Sequence, residues 1–168
     1  MKEKKRKVAE KLTIRVARGD EFGKVVTIYV DEGSRVEAKA VKKVVEKEFG
    51  DIKSGKRIIL FAEIDKKPVG TVQLILESSN KEHADGKDLS HLHHLKTHKK
   101  YCRKGIGEAL TYKVENIARE KGFKRMTLGV DEDNPYAKKL YEKWGYGLLK
   151  IEPGRTKRLK LFILYKDL

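Results

Sequence analysis

The residues best suited to holding an anion in this chain are Cys102-Arg103-Lys104-Gly105-Ile106-Gly107, which open an amphipathic stretch. Glycines at 105 and 107 let a backbone approach a bulky ligand, and the first-turn amides of a following helix have no partner of their own. Those amides and the helix dipole favour phosphate, while Arg103 and Lys104 add positive charge. A tight turn with surface cations would look the same, so the loop by itself is weak evidence. Further on, Asn134-Pro135-Tyr136-Ala137 opens a second short helix, with Asn134 as N-cap and Pro135 at the first helical position. Ala137, Leu140, Tyr141 and Trp144 line one side of it, so one phenol is offered from an apolar stripe. Read alone, Tyr141 is a core tyrosine.

Four of the five histidines fall between His91 and His98. Strand alternation puts His91 and His93 on one face, as a metal pair requires, but acidic or thiol ligands are missing nearby and no metal is expected. Sheet-lining or substrate-facing histidines fit better. Cys102 reads as a small buried filler and not as a nucleophile, because no designated base accompanies it.

The elements that must position these residues follow from periodicity and punctuation. Leu12–Ala17 alternates as a short strand, and Glu21–Val30 carries Phe22, Val25, Val26 and Tyr29 at helical spacing. Ser34 with Glu37 is a capping-box pattern for a second helix, which buries Ala38, Val41, Val44, Val45 and Phe49 and ends at Gly50. A hairpin follows: Arg57–Asp65, a turn at Lys66-Lys67-Pro68, and Val69–Glu77. Residues 78–88 are polar, without periodicity, and read as a mobile loop. Leu89–Thr97 is a strand, a long helix from Ile106 ends at Gly122, and Met126, Leu128 and Val130 share one face of the next strand. Tyr146–Ile151 and Leu159–Asp167 complete the chain as two strands. The order is β, α, α, β, β, β, α, β, α, β, β, a mixed α/β domain on one central sheet.

The two motifs together are more specific than either alone. The chain resembles the GNAT superfamily of acyl-CoA-dependent N-acyltransferases, whose first signature, Arg/Gln-x-x-Gly-x-Gly/Ala, falls on Cys102–Gly107. The family's later pattern, Asn-x-x-Ala-x-x-Leu-Tyr-x-x-x-Gly-Phe/Tyr, is matched by Asn134, Ala137, Leu140, Tyr141, Gly145 and Tyr146. The close resemblance runs from about Leu92 to the end. One position departs: Cys102 stands where the family has Arg or Gln.

The resemblance implies a single domain over residues 1–168, with 1–10 a charged N-terminal extension. It implies a mostly antiparallel twisted sheet of about seven strands flanked by about four helices. The activity it implies is transfer of an acetyl group from acetyl-CoA to a primary amine, of a small molecule or of a protein N-terminus or lysine, without a metal. Carried onto this sequence, the backbone of Leu95, Lys96 and Thr97 pairs with the pantetheine arm. Arg103, Lys104, Gly105, Ile106, Gly107 and Glu108 wrap the pyrophosphate, and Asn134 and Ala137 meet the cofactor arm. Lys138 reaches towards the adenosine 3′-phosphate, and Tyr141 protonates the departing thiolate. A base must also take a proton from the amine, with Glu63, His93 and His94 as candidates. Asp31, Glu32 and Glu37 would flank the acceptor, or merely solubilise and cap a helix. Dimerisation is common in the family, so a homodimer is compatible.

Bulk properties bound the alternatives. The 168 residues suit one domain with a real core. The net charge is +15, gathered at residues 1–11, 95–104 and 154–168. Such charge suits an anionic ligand or nucleic acid, but no aromatic-flanked basic pattern of the RNA-binding kind occurs. A catalytically degenerate acyl-CoA-binding or basic nucleic-acid-binding module is the competing reading. A single cysteine permits no internal disulfide, and no apolar run is long enough to cross a bilayer. Both fit a cytoplasmic setting.

Overall fold

The computed structural model describes residues 11–21, 23–25, 28, 38–154, 156 and 158–168, with the side chains at 38–42, 44 and 45 outside that description. The strands are β1 (Leu12–Val16), β2 (Arg57–Ile64), β3 (Lys67–Ile75), β4 (Leu89–Thr97), β5 (Arg125–Asp131), β6 (Gly147–Pro153) and β7 (Lys160–Asp167). They form one sheet in the order β1-β2-β3-β4-β5-β7-β6. The β1–β2, β5–β7 and β6–β7 pairs are antiparallel, whereas β4 and β5 run parallel from Leu89↔Arg125 to Leu92↔Leu128. Among the described residues three α-helices have both bounds given: α1 (Ala38–Lys53), α2 (Ile106–Glu120) and α3 (Pro135–Lys143). Residues 23–25 and 28 are also helical. The mixed α/β architecture expected from the sequence is therefore present.

The chain divides into two compact units, Met1–Leu74 with His94–Val114 and Ile75–His93 with Glu115–Leu168. In the first, Ala17, Val25, Ile28, Phe49, Ile59 and Phe61 form a buried cluster, and Ile52 packs against it. Val25 and Phe49 were expected there. Phe22, Val26, Tyr29, Asp31, Glu32, Ser34 and Glu37 lie outside the described residues, as do the side chains of Ala38, Val41, Val44 and Val45. In the second unit, Met126, Leu128, Val130 and Leu164 are buried, with Leu128 and Leu164 directly paired across β5 and β7. Helix α2 keeps one face inward throughout, since Ile106, Leu110, Val114 and Ala118 recur every fourth residue and are all buried.

Three expectations are corrected. Helix α1 continues past Gly50 to Lys53 and stops before Gly55, whose φ of 72° is the left-handed conformation that closes a helix. The hairpin turns at Asp65-Lys66, both at positive φ (52° and 63°), as a two-residue turn of the primed kind requires, so Lys67 and Pro68 already belong to β3. Residues 78–88 are internally bonded. Asp85 Oδ1 accepts from the N–H groups of Lys87, Asp88 and Leu89 at 2.8, 2.9 and 2.9 Å, and Glu77 bridges to Asp85.

Candidate active site

The anion-binding loop grows out of the end of β4. His98 N–H donates to Val69 O at 2.8 Å, which ties the end of β4 to β3. One 3₁₀ turn, Lys99–Tyr101, leads to Cys102. Arg103 then takes φ of 60° and Gly105 φ of 85°. Left-handed residues in such a loop turn successive N–H groups to one side and make an anion-binding concavity. Helix α2 begins at Ile106, so the N–H groups of Ile106, Gly107 and Glu108 have no partner within the helix. The first bond closed there is from Ala109 N–H to Gly105 O, 3.0 Å. A Cβ added to Gly105 would meet nothing within 4 Å, so the loop faces open space. Cys102 is exposed rather than buried, its thiol 3.7 Å from the carbonyls of Thr97 and His98. The Lys104 ammonium rests 4.7 Å from the centroid of the Tyr101 ring.

Gly70 on β3 fixes where this helix starts. A side chain there would come within 3.0 Å of Lys96 O and 3.2 Å of both Ile106 and Leu110. Only glycine lets the start of α2 lie this close to the strands. Ile106, fully inward, anchors the loop from below. Leu95 and Thr97 are half-buried, and Lys96 and Glu108 are exposed.

The second motif builds its helix as its residue types require. Asn134 caps α3, its side-chain oxygen accepting from Ala137 N–H at 3.1 Å, and Pro135 stands at the first position. Tyr141 is the buried residue of that helix, edge-on to Trp144 at 5.5 Å and to Tyr146 at 5.7 Å. Burial pushes its phenol well above the ordinary value, so it stays protonated. Tyr146 is supported beneath it. Its hydroxyl donates to Glu115 at 2.9 Å, and Lys166 donates to the same carboxylate at 2.9 and 3.0 Å. Burial and the Glu115 charge raise the Tyr146 phenol as well. Lys138 is half-buried and spends its ammonium on Glu142 at 2.8 Å, on its own helix.

Glu63 is set in an ion-pair cluster that the sequence did not disclose. Arg15 donates to it at 2.8 and 3.0 Å and to Glu21 at 2.7 Å twice, and Lys24 donates to Glu21 at 2.9 Å. The Arg15 hydrogen bonds hold the Glu63 carboxyl below its ordinary value against the effect of burial. A carboxylate so held is a weak proton acceptor, which suits Glu63 to a counter-ion role. His91 Nδ1 lies 2.7 Å from the Thr127 hydroxyl, and the His91 ring stacks on His83 at 5.0 Å and lies 5.8 Å from His93. His94 adjoins a carboxylate, Glu48, that the sequence reading did not single out. A glutamate in phase with Val41, Val44 and Val45 on an apolar stripe was the available signal.

Comparison with known proteins comes to the same segment. The model of the acetyltransferase (GNAT) family matches residues 22–146, well over half of the chain. No curated protein matches the sequence significantly. Among solved structures, the PaiA N-acetyltransferase of Thermoplasma acidophilum in complex with coenzyme A is 20% identical, with TM-score 0.66 over 94% of this chain and 99% of that one. YncA of Salmonella typhimurium with acetyl-CoA is 16% identical, with TM-score 0.71 over 93% of each chain. The ribosomal-protein-alanine N-acetyltransferase of Brucella melitensis is 19% identical, with TM-score 0.71 over 93% of this chain and 99% of that one. At these identities the likeness is one of fold.

Proposed function

The chain belongs to the acetyltransferase (GNAT) family, and from that membership we propose that it transfers an acetyl group from acetyl-CoA to a primary amine. The acceptor is an amine of a small molecule, or a protein amino terminus or lysine, attacking the thioester directly. One observation carries the reading: a loop with two left-handed residues, Arg103 and Gly105, delivers unpaired amides and two cations at the start of α2. That donor set fits a pyrophosphate. Structural neighbours in complex with coenzyme A and with acetyl-CoA support the same co-substrate.

Acetyl-CoA supplies the activated acyl group, and this chain's residues do the rest. The amides of residues 103–108 hold the pyrophosphate, and Arg103 and Lys104 offset its charge. Cys102 brings no positive charge to the first motif position, and Arg103, next in sequence, is the adjacent cation. The backbone of Leu95, Lys96 and Thr97 pairs with the pantetheine, and Asn134 and Ala137 meet the cofactor arm. The amine nitrogen bonds to the acyl carbon while the carbon–sulfur bond breaks. Tyr141, kept protonated by burial, gives its proton to the departing thiolate. Glu63, held by Arg15, is better suited to structure than to base chemistry, which leaves the strand histidines, His93 among them.

The test is release of CoA thiol from acetyl-CoA across a panel of polyamine, aminoglycoside and peptide acceptors. Turnover of an amine in the panel by the wild-type protein supports the reading. Binding of acetyl-CoA with hydrolysis only, and no acetylated amine, refutes it.

A further inference from the structure

Helix α3 is closed by the residues that follow Tyr141. Gly145 takes φ of 94°, and its N–H donates to Glu142 O at 3.0 Å. The N–H of Tyr146 donates to Tyr141 O, also at 3.0 Å. This pair of bonds is a Schellman closure, in which the residue after the glycine packs on the helix residue whose carbonyl it caps. The Tyr146 ring accordingly stands edge-on to the Tyr141 ring at 5.7 Å. Beneath Tyr146 lies Glu115 of α2, only 2% exposed, and a carboxylate so buried is costly unless paired. It accepts from the Tyr146 hydroxyl at 2.9 Å and from the Lys166 ammonium at 2.9 and 3.0 Å, with Arg119 3.6 Å away. Lys166 comes from β7, opposite Met126, whose Sδ lies 3.4 Å from the same hydroxyl. A Cβ on Gly145 would meet Lys166 Cε at 3.5 Å, so the lysine passes directly over the closure. One carboxylate thus joins α2, β7 and the residue that caps α3. Apolar side chains of similar volume would hold these elements together as well, because buried ion pairs add little over good packing. What the charged trio adds is a fixed direction for one ring. Burial and then the Glu115 charge keep the Tyr146 phenol protonated, so it goes on donating to Glu115. Tyr146 thus commits its hydroxyl to Glu115, whereas among the described residues none bonds the Tyr141 hydroxyl.

We propose that Glu115 and Tyr146 are positioning residues for the Tyr141 phenol. This rests on the acyl-transfer reading above, in which Tyr141 gives its proton to the departing thiolate. Glu115 fixes the Tyr146 hydroxyl, and the Tyr146 ring and backbone fix Tyr141. Neither positioning residue exchanges a proton with the cofactor or the acceptor. Lys166 is the counter-ion that holds Glu115 in place from the opposite side of the trio. A phenol released from this support would tilt away from the sulfur, and small misplacements of a reacting group cost a large share of the rate.

Two measurements on the full chain test this. The first needs no ligand and reads the Tyr141 ring by NMR with labelled tyrosine, its signal identified by its loss in Tyr141→Phe. Glu115→Gln keeps the volume of the side chain and removes its charge. The Tyr141 signal should shift in Glu115→Gln, and in a Tyr146→Phe background the same change should leave it unmoved, because Tyr146 carries the effect. A Tyr141 signal indifferent to Glu115→Gln, or moved equally in both backgrounds, overturns the proposal. The second reads CoA release with acetyl-CoA and three probes: spermidine, kanamycin, and a peptide with an alanine amino terminus. On a probe the wild type uses, Tyr146→Phe and Glu115→Gln should each lower kcat about tenfold with an unchanged KM for acetyl-CoA. In a Tyr141→Phe background the same two changes should each lower kcat by less than about twofold, since no phenol remains to be aimed. Equal losses in both backgrounds show a structural role alone, which overturns the proposal and leaves the acyl-transfer reading intact. An undiminished kcat in Tyr141→Phe overturns the donor role of Tyr141 and the positioning with it. No release by the wild type with any probe overturns the acyl-transfer reading and, with it, the proposal.

Discussion

Tyr141 carries the sharpest residue-scale expectation. Its phenol is buried and held in the protonated form, so its loss should be felt when the thiolate departs and not when acetyl-CoA binds. Tyr141→Phe should lower kcat by about 100-fold, the lower end for a positioned proton donor, with the KM for acetyl-CoA unchanged. Steady-state kinetics against acetyl-CoA checks it, and an undiminished kcat would remove the role. The place of Tyr141 and Asn134 on a capped helix was legible because both lie in one short motif with that spacing, whereas the role proposed for Tyr141 came from the family resemblance and not from the spacing. His94 and Glu48 were not legible as a pair. They stand far apart in sequence, and the backbone reversal at His94 breaks the alternation by which strand faces are assigned. The Arg15, Glu21 and Glu63 cluster was hidden for the same reason, since surface charge and buried charge look alike in a chain so rich in both.

Two elements each offer a test of how they are held. Asn134→Ala removes the oxygen that accepts from Ala137 N–H and should cost about 1 kcal/mol of stability, read by denaturant unfolding. Gly105→Ala places a Cβ on a residue at φ of 85°, which should cost about 1 to 2 kcal/mol. Because space around it is open, that cost is conformational, and affinity for CoA should fall with it as the loop leaves its concave form. A calorimetric titration with CoA that is unchanged in Gly105→Ala would show that the loop is not the phosphate site. Most element boundaries followed from periodicity and caps. The exceptions have local causes. Gly50 is a weaker terminator than Gly55 because only the latter takes a left-handed φ. Pro68 drew the turn towards itself, although the conformation that closes the hairpin belongs to Asp65 and Lys66, neither a residue that announces it.

At the scale of the whole molecule, charge bears on stability and on which partners a test should include. Glu21 and Glu63 are held by Arg15 below the ordinary Glu value of 4.5. Carboxylates lowered in the folded state contribute stability that is complete above that value and is lost as pH falls through the folded-state range. The melting temperature should therefore fall as pH drops below 4.5, and Arg15→Met should flatten that dependence while lowering the melting temperature at neutral pH. Thermal melts over a pH series test both. The net charge of +15 invites a nucleic-acid reading, whose signature would be binding that weakens steeply with salt. Among the described residues no helix is long and apolar enough to cross a membrane. The central claim, that the loop at 102–108 and its helix hold acetyl-CoA, is tested most directly by thermal unfolding with acetyl-CoA, against ADP as control. At about 100 times its dissociation constant a ligand of the folded state contributes about 2.7 kcal/mol. For a chain of this size that raises the melting temperature by about 5 to 10 °C. A rise of that order with acetyl-CoA is the predicted result, and an unmoved transition at saturating acetyl-CoA would contradict it.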